Sequence, residues 1–146
     1  QERSLMRKRP KKTEILSRYL TVTGWRASVS VRVDSQRGLP PERSLLNWLE
    51  LDGELTEDLK GVVSAKVSLH PTSDLSLGEG MPLSLGSIIQ VKPQVTVVVP
   101  LSEAEFDRVW TLASTNQIKS CYLAFHEPFR GYAGVVSFSV NSTLPE

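Results

Sequence analysis

Residues 95–113 read VTVVVPLSEAEFDRVWTLA, in which a short apolar run is followed by the pattern of a helix start. The β-branched residues at 95–99 are typical of a strand that is buried on both faces. Pro100 ends this run. Ser102 and Glu105 follow with the spacing of a capping box, in which a hydroxyl and a carboxylate satisfy backbone N–H groups that the first turn of a helix leaves unpaired. The pattern therefore predicts a strand that leads directly into a helix.

The predicted helix covers about residues 102–114 and is amphipathic. Its apolar residues recur at helical spacing and form one stripe, whereas charged side chains face away from that stripe. The stripe consists of Phe106, Val109, Trp110 and Ala113. We expect it to pack against a sheet.

Most of the remaining chain has the period-two alternation of half-buried strands. Residues 25–33 alternate strictly between apolar and polar side chains, and residues 63–69 do so again. Residues 15–23 are expected to form a separate strand, with a turn near Gly24. Residues 44–55 fit either a helix or a strand. The strand is favoured because it can pair with 63–69 through a short polar link.

Seven or so short strands and a single helix predict a mainly β protein, an antiparallel β-sandwich with one short amphipathic α-helix. This pattern argues against a doubly wound α/β fold, because that fold needs a helix between most of its strands. The expected core is drawn from the strands and from the helix, and it consists of Trp25, Val29, Val31, Leu49, Val67, Val97, Val99, Phe106, Trp110, Leu123 and Phe138.

Positive charge is concentrated at the beginning of the chain. Residues 1–18 hold seven Lys or Arg and two Glu, a net charge of +5, which leaves 10 basic and 14 acidic residues in the rest of the 146-residue sequence. Residues 1–14 have no apolar periodicity and are expected to form a basic, flexible N-terminal arm. Residues 15–146 are expected to form a single sandwich-like domain.

The composition is that of an ordinary globular protein, with 40% hydrophobic and 23% charged residues. No apolar run approaches the roughly 20 residues that a membrane-spanning helix needs, so no membrane association is expected. Cys121 is the only cysteine and excludes an internal disulfide, which favours a cytoplasmic location.

Few residues have the pattern of a catalytic site. His126 and Glu127 begin like a zinc-binding helix motif, but the second histidine is absent and Pro128 would break the helix. One cysteine and two histidines are too few for a structural zinc site. The sequence therefore predicts no cofactor, no metal and no catalytic residue. A small enzyme that uses His126 and Glu127 is kept as an alternative.

The leading functional prediction is a non-catalytic module that binds another protein or forms a homo-oligomer. Its expected contact is the turn between the last two predicted strands, where His126, Phe129, Arg130 and Tyr132 come together. Aromatic residues and arginine are over-represented among the residues that dominate the energy of protein interfaces.

The other alternative is a nucleic-acid-associated protein that binds through the basic arm. Lys and Arg neutralise phosphates and release counterions, so this binding would depend on salt and not on base sequence. The residues assigned to it are Arg7, Lys8, Arg9, Lys11 and Lys12. The arm has no aromatic residues, which argues against stacking of the arm on single-stranded bases.

Overall fold

The computed structural model describes residues 14–73 and 84–145, which fold into seven strands and one helix. The strands are β1 (Ile15–Asp34), β2 (Glu42–Leu59), β3 (Val62–Pro71), β4 (Gly86–Gln90), β5 (Val95–Leu101), β6 (Ser120–His126) and β7 (Ala133–Asn141). The helix, α1 (Glu103–Ser114), follows β5.

The strands close into a barrel in the order β1-β2-β3-β5-β4-β7-β6, and β6 pairs again with β1. Only β3 and β5 are parallel neighbours among these strands. The predicted β-sandwich is therefore wrong, whereas a mainly β chain with one short helix is confirmed. The physical reason is that β1 pairs along both of its edges. Leu20 lies opposite Leu55 of β2 and opposite Cys121 of β6, so β1 joins the two ends of the sheet.

The barrel interior is filled by apolar side chains that alternate inward along the strands. The predicted core residues that are buried are Leu49, Val67, Val97, Val99, Phe106 and Leu123. Trp110 and Phe138 are partly buried and pack against this core. The prediction is wrong for Trp25, Val29 and Val31, whose side chains are 38%, 57% and 50% exposed.

The helix begins where the sequence predicts. The Ser102 hydroxyl accepts a hydrogen bond from the Glu105 N–H at 3.1 Å, and the Glu105 carboxylate accepts one from the Ser102 N–H at 2.8 Å. The buried side chains of α1 are Phe106, Val109 and Ala113, and they join the barrel core. Because α1 connects β5 to β6, it lies at one end of the barrel, here called the helix end. The opposite end contains the start of β1 and the β2–β3, β4–β5 and β6–β7 connections, and is called the turn end.

Strands β1 and β2 continue beyond the helix end as a two-stranded ribbon. β1 pairs with β6 only as far as Thr21, and β2 pairs with β3 only from Leu49 onwards. Within the described part of the chain, residues 28–34 and 42–48 therefore pair only with each other, and these two segments are called the ribbon. Seven residue pairs at about 3.4 Å per residue give the ribbon a length of roughly 24 Å.

Two sequence-based expectations concern this hairpin. Residues 44–55 belong to β2, so the strand interpretation is confirmed. The turn expected near Gly24 is wrong, because Ile15–Asp34 is one strand with a register shift between Val22 and Gly24. A bulge bends a strand without ending it, and this one lies where β1 leaves the barrel.

Candidate binding surface at the turn end

The connection between β6 and β7 contains a tight two-residue turn. The Phe129 N–H donates to the Tyr132 carbonyl at 2.8 Å, and the Tyr132 N–H donates to the Phe129 carbonyl at 3.0 Å. Arg130 and Gly131, which lie between them, have φ values of 53° and 81°. Positive φ at both central positions is the mark of a type I′ turn, for which Asn-Gly is a preferred sequence. Arginine is unfavourable for the backbone at the first of these positions.

The side chains of this turn are exposed to solvent. Phe129 and Tyr132 are 70% and 62% exposed, and Arg130 is exposed between them. The Arg130 guanidinium carbon lies 5.2 Å from the centroid of the Phe129 ring, within the range of a cation–π contact. His126 is partly buried at the end of β6. The structure brings the four predicted partner-binding residues together, and their role in binding stays a prediction.

The base of the turn is attached to two neighbouring segments. Pro128 is buried, and its carbonyl accepts a hydrogen bond from the Lys60 ammonium group at 3.2 Å. The Glu127 N–H donates to the Glu14 carbonyl at 2.9 Å, which connects the turn to the start of β1. These contacts support the exposed rings, so less conformational entropy would be lost when a partner binds them.

Two lysines that the sequence analysis did not identify lie beside this turn. Lys60 is in the β2–β3 turn and Lys92 is in the β4–β5 connection, and both line a groove of about 400 Å³ together with Arg130. Ile89 also lines the groove and is 42% exposed, so apolar surface lies next to three cations. Each lysine stands in a turn dipeptide, Lys-Gly or Lys-Pro. Nothing in the sequence, however, places the two turns at the same end of a barrel.

The two residues of the enzyme alternative lie on the other side of the turn. His126 is partly buried and Glu127 is exposed, and both line a shallow depression of about 390 Å³ that also includes Phe129 and Tyr132. Within residues 14–73 and 84–145, no group of three or more His, Cys, Asp or Glu side chains is placed to hold a metal ion. Catalysis by His126 and Glu127 remains a hypothesis.

The basic residues of the N-terminal arm, Arg7, Lys8, Arg9, Lys11 and Lys12, lie outside the described part of the chain. The arm nevertheless joins the barrel at a defined place. The Glu14 carbonyl is hydrogen-bonded to Glu127, and Ile15 pairs with His126. The point of attachment is therefore at the turn end, beside the exposed aromatic residues of the β6–β7 turn.

Cys121 lies inside the barrel wall. It is fully buried in β6, opposite Leu20 of β1. Burial disfavours the charged thiolate and raises the pKa of the Cys121 thiol. The protonated thiol acts as a small apolar packing group at neutral pH.

Comparisons with protein-family models, with curated proteins and with solved structures found no match. In the described ranges, α1 has only 12 residues, and no helix combines the length and the apolar character that crossing a membrane requires.

Proposed function

We propose that this chain is a non-catalytic protein-binding module and that its turn end binds an acidic segment of a partner protein. The observation that carries the proposal is the β6–β7 turn, where Phe129 and Tyr132 are 70% and 62% exposed on either side of Arg130. These three residues, together with Lys60 and Lys92, are called the turn-end patch. Exposed aromatic rings beside an arginine have the composition of interface anchors.

The charges of the turn-end patch favour an acidic partner. Lys60, Lys92 and Arg130 place three positive charges around one groove. A guanidinium binds a carboxylate through two parallel hydrogen bonds, and a lysine adds a point charge. Ile89 offers apolar surface in the same groove, and the Phe129 ring offers more beside Arg130. A segment that combines Asp or Glu with an apolar side chain therefore fits both features.

The turn-end patch is also preorganised for contact. Lys60 donates one hydrogen bond to the Pro128 carbonyl, and its ammonium group has two further donors. The left-handed backbone of Arg130 costs on the order of 1 kcal/mol relative to glycine. Backbone strain at an exposed residue suggests that its side chain has a function. For Arg130, contact with a carboxylate of the partner would be that function.

A peptide-display selection with the full chain as bait tests the proposal. We expect the selection to enrich sequences in which Asp or Glu flanks an apolar residue. Phe129→Ala and Arg130→Ala should each weaken the binding of a selected peptide by about 1–2 kcal/mol, a factor of roughly 5 to 30. Leu144→Ala and Arg108→Ala are the matched controls, because each removes an exposed side chain of the same kind outside the turn-end patch. Both controls should bind like the parent.

The melting temperature of each variant shows whether a loss of binding comes from a lost contact with the peptide or from a less stable fold. Phe129→Ala should melt close to the parent because the ring is exposed. A large loss of stability with unchanged affinity per folded molecule would show that Phe129 supports the fold instead. Enrichment of basic or uncharged peptides would contradict the proposed chemistry of the partner.

Nucleic-acid binding is the second candidate function, and one observation favours it. The arm joins the barrel at Glu14, so the net charge of +5 in residues 1–18 is attached beside the turn-end patch. Lysines and arginines there would contact phosphates, and the two exposed rings would stack on bases. The affinity for duplex and single-stranded probes should then fall steeply with salt, and deletion of residues 1–12 should flatten that dependence. A full chain that binds neither probe at low salt would end this candidate.

We also propose a cytoplasmic location. Cys121 is the only cysteine, so the fold does not depend on an internal disulfide or on an oxidising compartment. Fractionation of the source cells, followed by detection with an antibody against the chain, tests this location. Recovery in a secreted or membrane fraction would contradict it.

A further inference from the structure

The ribbon has one largely apolar face that is exposed to solvent. Residues that lie opposite each other in an antiparallel pair project to the same face, and successive pairs alternate between faces. On the face that includes the pair Ala27↔Leu49, four apolar side chains are 50% to 71% exposed, namely Val29, Val31, Val33 and Leu45. This face is called the valine face.

The valine face continues the inward face of the barrel. Leu49 and Leu51 of β2 are fully buried, and the alternation that buries them runs into the ribbon without a change of phase. A two-stranded hairpin on its own is only marginally stable in water. Burial of the valine face against a further surface would therefore stabilise the ribbon.

We propose that this further surface is a second copy of the chain, and that two valine faces pack against each other about a two-fold axis close to Val31. A two-fold interface uses the same patch on both subunits, so that patch has to be self-complementary. Residues 28–48 carry three basic and two acidic residues, a net charge of +1, so two ribbons repel each other only weakly.

The polar residues of the valine face determine how the two ribbons align along their length in the dimer. On either side of Val31, the next pairs on this face are Val33↔Arg43 and Val29↔Asn47. An axis at Val31 exchanges these two pairs and brings Arg43 of one subunit opposite Asn47 of the partner subunit.

The two polar side chains are complementary in hydrogen bonding. Asn47 Oδ1 is shielded from solvent and has no hydrogen-bond partner among the described residues. The Arg43 side chain makes no hydrogen bond or ion pair within residues 14–73 and 84–145. Once the Asn47 amide turns its Oδ1 towards the interface, a guanidinium donor of the partner subunit satisfies it, and the symmetry repeats the contact.

The same axis extends the interface to the tip of the ribbon. Residue 37 lies six positions after Val31, and Trp25 lies six positions before it, so the loop at 35–41 of one subunit reaches Trp25 of the partner subunit. Leu39 in this loop is 61% exposed. Trp25 is 38% exposed and lines a groove of about 380 Å³ at the helix end, which the loop of the partner subunit would enter.

The contact area is consistent with a specific but modest dimer. A strip from Trp25 to residue 37 is roughly 40 Å long and about 10 Å wide, so the two subunits together contribute a footprint of roughly 800 Å². The accessible surface buried is larger than the footprint because side chains project from the strands. It therefore approaches the range of about 1,000–1,200 Å² at which specific interfaces begin.

This dimer is independent of the proposed function. The ribbon leaves the helix end, and the turn-end patch lies at the opposite end of the barrel. A substitution in one surface leaves the other unchanged, so the failure of either proposal is recognised separately.

Sedimentation velocity of the full chain, measured from low to high micromolar concentration, tests the proposal. We expect a concentration-dependent dimer for the parent. Val31→Lys, at the axis, should raise the dimer dissociation constant by about a hundredfold or more because it places two like charges together. Ser30→Lys is the matched control, because it adds the same charge to the opposite face of the same strand, and it should dimerise like the parent. Circular dichroism checks that both variants are folded.

A parent that stays monomeric overturns the proposal, and the occupant is then a different protein or a nucleic acid. A dimer that Val31→Lys and Ser30→Lys affect equally overturns the valine face as its interface.

The register has its own test. Asn47→Asp should tighten the dimer several-fold, because the new carboxylate faces Arg43 of the partner subunit, and Arg43→Gln should abolish that gain. A dimer weakened by Asn47→Asp, or tightened equally in the Arg43→Gln background, overturns the two-fold register.

Discussion

Gly53→Ala should destabilise this protein strongly, because it adds an atom where two strands approach closely. Gly53 of β2 lies opposite Val22 of β1, next to the register shift of that strand. A Cβ at position 53 would lie 2.0 Å from the Thr21 carbonyl oxygen and 2.9 Å from its carbonyl carbon. Ordinary van der Waals contact begins at 3.4 Å, so the oxygen would have to move by roughly 1.4 Å. Both contacts are with backbone atoms, so only a separation of the two strands relieves them.

The size of the effect follows from this separation. Forcing extra atoms into a well-packed site typically costs about 1–3 kcal/mol. A displacement of more than 1 Å also breaks the neighbouring ladder hydrogen bonds, and each contributes about 1 kcal/mol net. With two such bonds lost, we expect a decrease of about 3–5 kcal/mol in the free energy of unfolding, a large part of the roughly 5–15 kcal/mol of a typical domain.

Urea denaturation followed by circular dichroism measures this decrease. Gly24→Ala is the matched control, because no heavy atom lies within 4 Å of the Cβ that it would add. It should change the free energy of unfolding by no more than about 1 kcal/mol, the usual size of a Gly→Ala effect where the backbone accommodates the added Cβ. If Gly53→Ala is as stable as Gly24→Ala, β1 and β2 do not approach as the structure shows, and the reasoning fails.

Three further predictions concern the helix and the buried thiol. Phe106→Ala should cost about 3–5 kcal/mol because the ring is 3% exposed in the core, and a loss below 1 kcal/mol in a denaturant melt would remove α1 from the core. Ser102→Ala should cost about 1 kcal/mol through loss of the cap, and Ser114→Ala, at the other end of α1, should cost less. Burial raises the pKa of Cys121, so the native thiol stays protonated while the unfolded thiol ionises above about pH 8.5. The stability of the parent should therefore fall with rising pH above this value, by up to about 1.4 kcal/mol per pH unit, relative to Cys121→Ala. Parallel pH profiles for the two proteins would contradict a buried thiol.

Local patterns predict most of the elements of this fold. The capping box of Ser102 and Glu105 places the start of the helix within one residue. The alternation at 63–69 places β3 in the same way. Both signals depend on residues that are close in sequence, so they are visible without knowledge of the tertiary structure.

Closure of the barrel is not visible in such patterns. It depends on the pairing of Leu20 with Cys121, two residues that are about a hundred positions apart in the sequence. A strand that is buried on one face alternates in the same way in a sandwich and in a barrel. The pattern therefore predicts strands and leaves their order open.

The exposed valines show a second feature that the apolar–polar alternation of the sequence does not predict. Val29 and Val31 continue the alternation that β1 has after its bulge, in which Ala27 packs against the core. The same alternation occurs in a strand whose apolar face is buried and in one whose apolar face is exposed. Val29 and Val31 are exposed because β1 pairs with β6 only as far as Thr21 and β2 pairs with β3 only from Leu49 onwards, so the hairpin projects beyond the barrel there. The bulge at Gly24 marks where β1 leaves the barrel. A glycine inside a strand pattern is a recognised sign of a bulge or a close approach.

The turn-end patch likewise has one part that the sequence predicts and one part that it does not. Phe129, Arg130 and Tyr132 are neighbours in the sequence, so their association is predictable. Lys60 and Lys92 are remote from them along the chain and reach the same groove only because the barrel closes.

An NMR titration of the full chain with an acidic peptide selected by it tests the proposed function most directly. The amide chemical shifts that change should cluster at the β6–β7 turn and at Lys60 and Lys92, and the ribbon should stay unchanged. Raising the salt concentration should reduce these changes, because exposed charges are screened. Shift changes confined to the ribbon or to the helix end, with the turn-end patch unaffected, would contradict the account.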